Sequence, residues 1–62
     1  MIATVQFPGS PRTYDYIAPF PVHIGQRVVV NTKRGEAIVE VVGVKQKSDA
    51  ATASLVRPEA MF

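Results

Sequence analysis

The stretch that decides the fold is residues 26–44, which read QRVVVNTKRGEAIVEVVGV. Two runs rich in β-branched residues, 26–31 and 36–44, flank a short polar segment that contains Lys33, Arg34 and Gly35. Valine and isoleucine favour strands, and glycine can adopt the positive φ that tight hairpin turns require. The sequence therefore predicts a β-hairpin at the centre of the chain.

The register of this hairpin follows from the requirement that one face be apolar. With a loop at residues 32–35, the predicted core face consists of Val28, Val30, Ala37, Val39 and Val41. The opposite face then brings Arg27 beside Glu40, a favourable cross-strand charge pair. It also carries Val29 beside Ile38, and two apolar neighbours on an outer face predict an interface that another segment or another subunit covers.

Further strands are predicted on both sides of the hairpin, because short β-forming runs end at proline and glycine clusters. They are Ile2 to Phe7, Thr13 to Ile17, and a last run from Thr52 to Arg57 that Pro58 stops. Gly43, inside the second hairpin strand, is a natural bending point. Strands this short and numerous predict an all-β fold, a small five-stranded SH3-like or OB-like curled sheet or barrel.

Length and composition predict one cytoplasmic domain covering residues 1–62. The chain has no cysteine, which excludes disulfides and thiolate zinc sites. No apolar run approaches the roughly 20 residues that a membrane span needs, so we expect no membrane partner. The net charge of +2 permits a polyanionic partner without demanding one.

Residues suited to catalysis are sparse. His23 is the only histidine, and the five carboxylates are dispersed along the chain. A lone histidine is more often a packed or surface residue than a base or a ligand, and a conventional zinc site needs more nitrogen or sulfur ligands. We therefore expect a binding protein without a cofactor, a metal or an enzymatic activity of its own.

Cations interleaved with aromatic residues indicate nucleic-acid binding, since cations hold phosphates and aromatic rings stack on bases. The candidate residues are Arg12, Tyr14, Asp15, Tyr16, Lys33, Arg34, Lys45 and Lys47. Other roles stay open for most of them. The hairpin cations can simply solubilise a turn, the later lysines can protect a sheet edge, and the tyrosines can belong to the core.

The run PRTYDY at residues 11–16, followed by GQRVVV at 25–30, resembles the amino-terminal domain of the primosomal helicase PriA. That domain is a small β-barrel that captures the 3′ end of a DNA strand. The resemblance implies that Asp15 accepts hydrogen bonds from the terminal nucleotide, and that Tyr14 and Tyr16 shape the pocket. Asp15 can equally cap the turn after Pro11, a frequent role of aspartate.

A second resemblance covers residues 28–35, VVVNTKRG, which are similar to a VVVETxRG segment of bacterial domains related to the yeast polymerase suppressor family. The leading hypothesis is an accessory module of replication or repair, of phage or mobile-element origin, that binds single-stranded or 3′-ended DNA. The alternative is a protein-interaction or self-assembling module, forming a homo-oligomer or binding a protein partner, that uses Val29 and Ile38.

Overall fold

The computed structural model describes residues 1–49, 51 and 53–59, and within these ranges the chain is all-β, without a helix. Its strands are β1 (Ile2–Gln6), β2 (Thr13–Ile17), β3 (Arg27–Thr32), β4 (Gly35–Lys45) and β5 (Arg57–Pro58). They form one antiparallel sheet in the order β2-β1-β4-β3-β5. The predicted all-β class is therefore confirmed. Among the residues described there is no helix long and apolar enough to cross a membrane.

The central hairpin has the predicted register. Arg27 pairs with Glu40, Val28 with Val39 and Val30 with Ala37.

 The turn itself is two residues long, because Thr32 pairs with Gly35, whose φ of +113° lies in the region that favours glycine. The Thr32 hydroxyl fastens this turn: it donates to the Gly35 carbonyl at 2.8 Å and accepts from the backbone N–H at position 34.

The bending point predicted at Gly43 is a β-bulge. Thr4 of β1 pairs with Gly43, whereas the next residue, Val5, pairs with Val41, so Val42 is the extra residue of β4. A bulge moves every later side chain to the opposite face of its strand. Without it, Lys45 would lie on the core face; with it, Lys45 lies on the outer face.

The segment 53–59 joins the two edges of the sheet. On one side, the N–H of Ile17 at the end of β2 donates to the Ala53 carbonyl at 2.8 Å, and the N–H of Leu55 donates to the Ile17 carbonyl at 2.9 Å. On the other side, β5 pairs with β3. The sheet thereby closes on itself through this segment.

The prediction for the last strand was correct only in part. Pro58 does not stop the strand but pairs with Val28. The hydrogen bond to β3 at this position comes from the next residue, because the Glu59 N–H donates to the Arg27 carbonyl. Proline is tolerated in a strand where its missing N–H is not needed. Thr52, the predicted first residue of this strand, lies outside the described residues.

The core lies inside the closed sheet and is built from small and β-branched side chains. Its buried members are Ala3, Val5, Ala18, Val28, Val30, Val39, Val41 and Leu55. The predicted core face of the hairpin is confirmed, with Ala37 partly buried at its margin. Phe7 and Tyr16 also pack against this core, which brings two aromatic rings to one end of it.

The outer apolar pair, Val29 and Ile38, is adjacent as predicted, but its two members differ in exposure. Ile38 is 44% exposed, whereas Val29 is 5% exposed and therefore unavailable as an interface residue. The cause is Arg57, which is the β5 partner of Val29 and whose guanidinium makes two 2.8 Å bonds to Glu36 on β4. The Arg57 side chain must cross β3 to reach that carboxylate, so its apolar stem covers Val29.

Candidate nucleic-acid interface

An open groove with aromatic walls lies at the end of the core beside the central hairpin turn. It has a volume of about 490 Å³ and is lined by Phe7, Ser10, Tyr14, Tyr16, Asn31, Thr32 and Lys33. Three of the residues predicted for nucleic-acid binding, Tyr14, Tyr16 and Lys33, are therefore brought together. The groove combines aromatic rings with a cation, the two kinds of group that hold single-stranded nucleic acid.

Strand alternation explains why both tyrosines line this groove. Tyr14 pairs with Val5 and Tyr16 pairs with Ala3, and cross-strand partners share a face of the sheet. Both partners are fully buried, so the tyrosines lie on the core face. Tyr16 packs against the core, whereas Tyr14 is 44% exposed at the rim. The sequence-based alternative of core tyrosines therefore describes part of the role of Tyr16.

The ring of Phe7 contacts the ring of Tyr14. The two ring centroids lie 5.5 Å apart at an interplanar angle of 86°, an edge-to-face contact. Such a contact leaves a face of the Tyr14 ring free of Phe7. A ring held in this way loses little further freedom when a planar group stacks on it.

The loop between β1 and β2 is held by hydrogen bonds around Ser10. The Ser10 N–H donates to the Phe7 carbonyl at 3.1 Å, and Gly9 within that turn has a φ of +76°. The Gln6 side-chain amide donates to the Ser10 carbonyl at 3.0 Å, and the Arg12 N–H donates to the Ser10 hydroxyl at 3.2 Å. These bonds fix the loop that carries Phe7 and Arg12.

Asp15 alternates with the tyrosines and so lies on the outer face, where it pairs with Thr4. Its carboxylate accepts a hydrogen bond from the Thr4 hydroxyl at 2.8 Å and one from the Ser48 hydroxyl at 2.6 Å. The Lys45 ammonium lies 2.8 Å from the same carboxylate. Hydrogen bonds from Lys45, then Ser48 and Thr4, lower the pKa of Asp15 from 3.8 to about 2.

The alternative role of Asp15, capping the turn after Pro11, is wrong. Asp15 is in the middle of β2, and the side chain that serves the preceding turn is that of Ser10. Asp15 does line a surface depression of about 480 Å³, together with Lys45 and Thr13. Since its own chain already supplies three donors, only about one of its four acceptor positions is left for a ligand.

Lys45 reaches Asp15 across an intervening strand. Lys45 on β4 pairs with Ile2 on β1, whereas Asp15 is on β2 on the far side of β1. The lysine stem must therefore cross β1, which explains why Ile2 is only 7% exposed although it lies on the outer face. Because its charge is neutralised by Asp15, Lys45 is less suited to hold a phosphate than the sequence suggests.

The other predicted cations are exposed. In the described part of the chain, none of Arg12, Lys33, Arg34 and Lys47 has a carboxylate within 4.0 Å. Lys33 lines the groove, and Arg34 follows it in the hairpin turn. Arg27 lies opposite Glu40 in the strand register, as predicted, but its guanidinium Nη1 lies 3.9 Å from Glu59 Oε1.

Sequence reasoning missed the contribution of four residues to the groove, namely Phe7, Ser10, Asn31 and Thr32. Alternation along the chain could have identified two of them. Phe7 follows Val5 by two positions and Thr32 follows Val30 by two, so both continue a core-facing row. Asn31 lies on the opposite row, and the sequence contains no signal for its position at the rim.

Among the residues that the structure describes, no group of three or more histidine, cysteine, aspartate or glutamate side chains is arranged to hold a metal ion. Comparison of the chain with protein-family models, with curated proteins and with solved structures finds no match. The similarity to the PriA amino-terminal domain therefore stays a prediction that depends on the residues quoted for it.

Proposed function

We propose that the chain is a small cytoplasmic binding module that holds single-stranded or 3′-ended DNA in the groove beside the central hairpin. The observation that carries this proposal is the combination of Phe7, Tyr14 and Tyr16 with Lys33 in one open groove. An unstacked base packs against the exposed Tyr14 ring, and the phosphates on either side of it interact with Lys33 and Arg34.

The structure refines which residues carry this proposal. The tyrosines and Asp15 lie on opposite faces of β2, so a base on Tyr14 and a group on Asp15 occupy different surfaces. Capture of a 3′ end by Asp15 therefore requires the DNA strand to pass around the edge of β2. Single-strand binding needs only the groove, and we place it first; a preference for 3′ ends is the more specific form of the same proposal.

Fluorescence anisotropy with labelled single-stranded oligonucleotides tests both forms. We expect binding at about 50 mM salt that weakens steeply as salt rises. An oligonucleotide ending in a 3′-hydroxyl should bind more tightly than one ending in a 3′-phosphate if Asp15 takes part, because a carboxylate repels phosphate. The Asp15→Asn variant should abolish that difference. Absence of binding, or binding unchanged when Asp15 and Lys33 are both replaced by alanine, would refute the proposal.

A second candidate function is protein interaction, and the exposure of Ile38 favours it. Ile38 is 44% exposed on the outer face although its neighbour Val29 is covered. An interaction surface centred on Ile38 predicts that Ile38→Glu weakens association while leaving DNA binding unchanged. Sedimentation velocity over a wide concentration range tests the self-assembling form, which a strictly monomeric profile would contradict.

A further inference from the structure

A cleft lies between the β1–β2 loop and the first half of β4. Its volume is about 760 Å³, and its walls include Phe7, Pro8 and Ser10 on one side and Ile38 and Glu40 on the other. It shares Phe7 and Ser10 with the aromatic groove but opens toward a different part of the sheet. The DNA proposal makes no use of this cleft.

The cleft exists because β1 is shorter than the strand beside it. β1 ends at Gln6, which pairs with Glu40, whereas β4 begins at Gly35. Pro8 has no N–H to continue the ladder, and the turn closed by the Ser10 N–H bends the chain away. Among the strands of the described residues, β3 alone therefore pairs with the first half of β4.

The polar backbone groups of this half-strand alternate in direction. Val41 exchanges hydrogen bonds with Gln26 and Gly25 on the β3 side, at 2.8 Å each. Because successive residues of a strand point their N–H and C=O groups to opposite sides, Glu36 and Ile38 direct theirs away from β3. Of these two residues, Ile38 lines the cleft. Among the described residues, no backbone hydrogen bond joins Ile38 or Glu36 to the loop at 7–11.

The charges of the cleft are unbalanced toward the acidic side. Two carboxylates, Glu40 and Glu59, face one guanidinium, that of Arg27. Glu59 Oε1 is buried and accepts no hydrogen bond from any described residue, and its 3.9 Å separation from Arg27 Nη1 is beyond hydrogen-bond distance. A buried carboxylate oxygen without a donor is costly, so a donor supplied by a partner would be favourable.

We propose that the open edge of β4 binds an extended peptide segment that carries a basic side chain. The peptide backbone pairs with the N–H and C=O groups of Ile38, and its apolar residues pack on the exposed Ile38 side chain. Its basic side chain donates to Glu40 and Glu59. This inference gives the partner class for the second candidate function, protein interaction, and does not depend on DNA binding.

The test is a titration of the ¹⁵N-labelled full chain with the peptide acetyl-Gly-Thr-Val-Lys-Val-Thr-Gly-amide, followed by NMR. At peptide concentrations up to about 1 mM, we expect the amide signals of Ile38, Gly9 and Ser10 to shift. A peptide with N-methyl groups on alternate residues should not bind, because it cannot pair with a strand. A peptide with glutamate in place of lysine should bind about tenfold more weakly.

Variants of the protein provide the matched comparison. The double variant Glu40→Gln, Glu59→Gln should lose about tenfold in affinity for the lysine peptide, whereas Asp49→Asn, which removes an exposed carboxylate outside the cleft, should bind as the wild type does. The proposal is overturned if no amide signal shifts or if the N-methylated peptide binds equally well. It is also overturned if the Ile38 signal shifts with protein concentration alone, because a second copy of the chain would then occupy the edge. A monomeric sedimentation profile would exclude self-assembly without affecting the peptide result.

Discussion

The pKa of Asp15 gives a quantitative test of the network that joins its carboxylate to Thr4, Lys45 and Ser48 on the outer face of the sheet. In the folded chain its pKa is about 2, against an ordinary value of 3.8, and the hydrogen bond from Lys45 is the largest cause. At pH 3 these two values correspond to about 10% protonation in the folded chain and about 85% in the unfolded chain. The unfolded chain therefore binds more protons in this range.

The sign of the pH dependence follows from this difference. Because the pKa of Asp15 is lowered by folding, the stabilisation from its network is complete above pH 3.8 and is lost as the pH falls from there toward 2. In Lys45→Met the pKa of Asp15 should rise toward 3.8, and the midpoint of acid unfolding should move to higher pH. Lys47→Met removes the same charge from an exposed lysine outside the network and should leave both quantities unchanged.

The measurement is a carbon-detected NMR titration of the Asp15 carboxyl group in wild type and both variants, with acid unfolding followed by circular dichroism. A titration midpoint near 3.8 in the wild type would refute the network. So would a Lys45→Met variant in which the midpoint stays near 2.

Three further predictions concern the fold, and urea unfolding measures all of them. Leu55→Ala should lower the free energy of unfolding by about 2–5 kcal/mol, because it opens a cavity where the sheet closes. Val56→Ala, at a partly exposed neighbouring position, should cost less. Equal losses in the two variants would contradict the assignment of Leu55 to the core. Gly35→Ala should cost about 1–3 kcal/mol because its φ of +113° strains any residue with a side chain, and an unchanged stability would show that the turn relaxes. Arg57→Ala should lower the urea midpoint of unfolding more than Glu36→Gln does, because only the alanine variant uncovers Val29. A larger loss in Glu36→Gln would contradict the coverage of Val29 by the arginine stem.

The central hairpin could be predicted from the sequence because the alternation of valines permits one register with an apolar face, and Gly35 marks its turn. The sequence also predicted that another segment or another subunit covers Val29, but it did not show which one. The burial of Val29 depends on Arg57, which is distant in sequence, and on the Glu36 carboxylate, which lies two strands away from Arg57. Pairings of this kind follow from the strand order, which the local pattern does not encode.

The candidate site was predictable to a similar extent. Tyr14 and Tyr16 share a face by alternation alone, and a hairpin turn places Lys33 at a tip. The position of Lys45 was not predictable, because it depends on a bulge at Val42 that reverses which residues face outward. Its ion pair with Asp15 neutralises one of the cations that the sequence suggested for phosphate binding.

The measurement that tests the central claim most directly is the affinity of the chain for a labelled single-stranded oligonucleotide of about 15 nucleotides at about 50 mM salt. The proposed groove predicts that Tyr14→Ala, checked for folding, weakens binding by about 1–3 kcal/mol through loss of one base stack. It also predicts that Lys33→Gln weakens binding more than Lys47→Gln, although both remove one exposed positive charge. Failure of the wild type to bind, or equal binding by all three variants and the wild type, would contradict it.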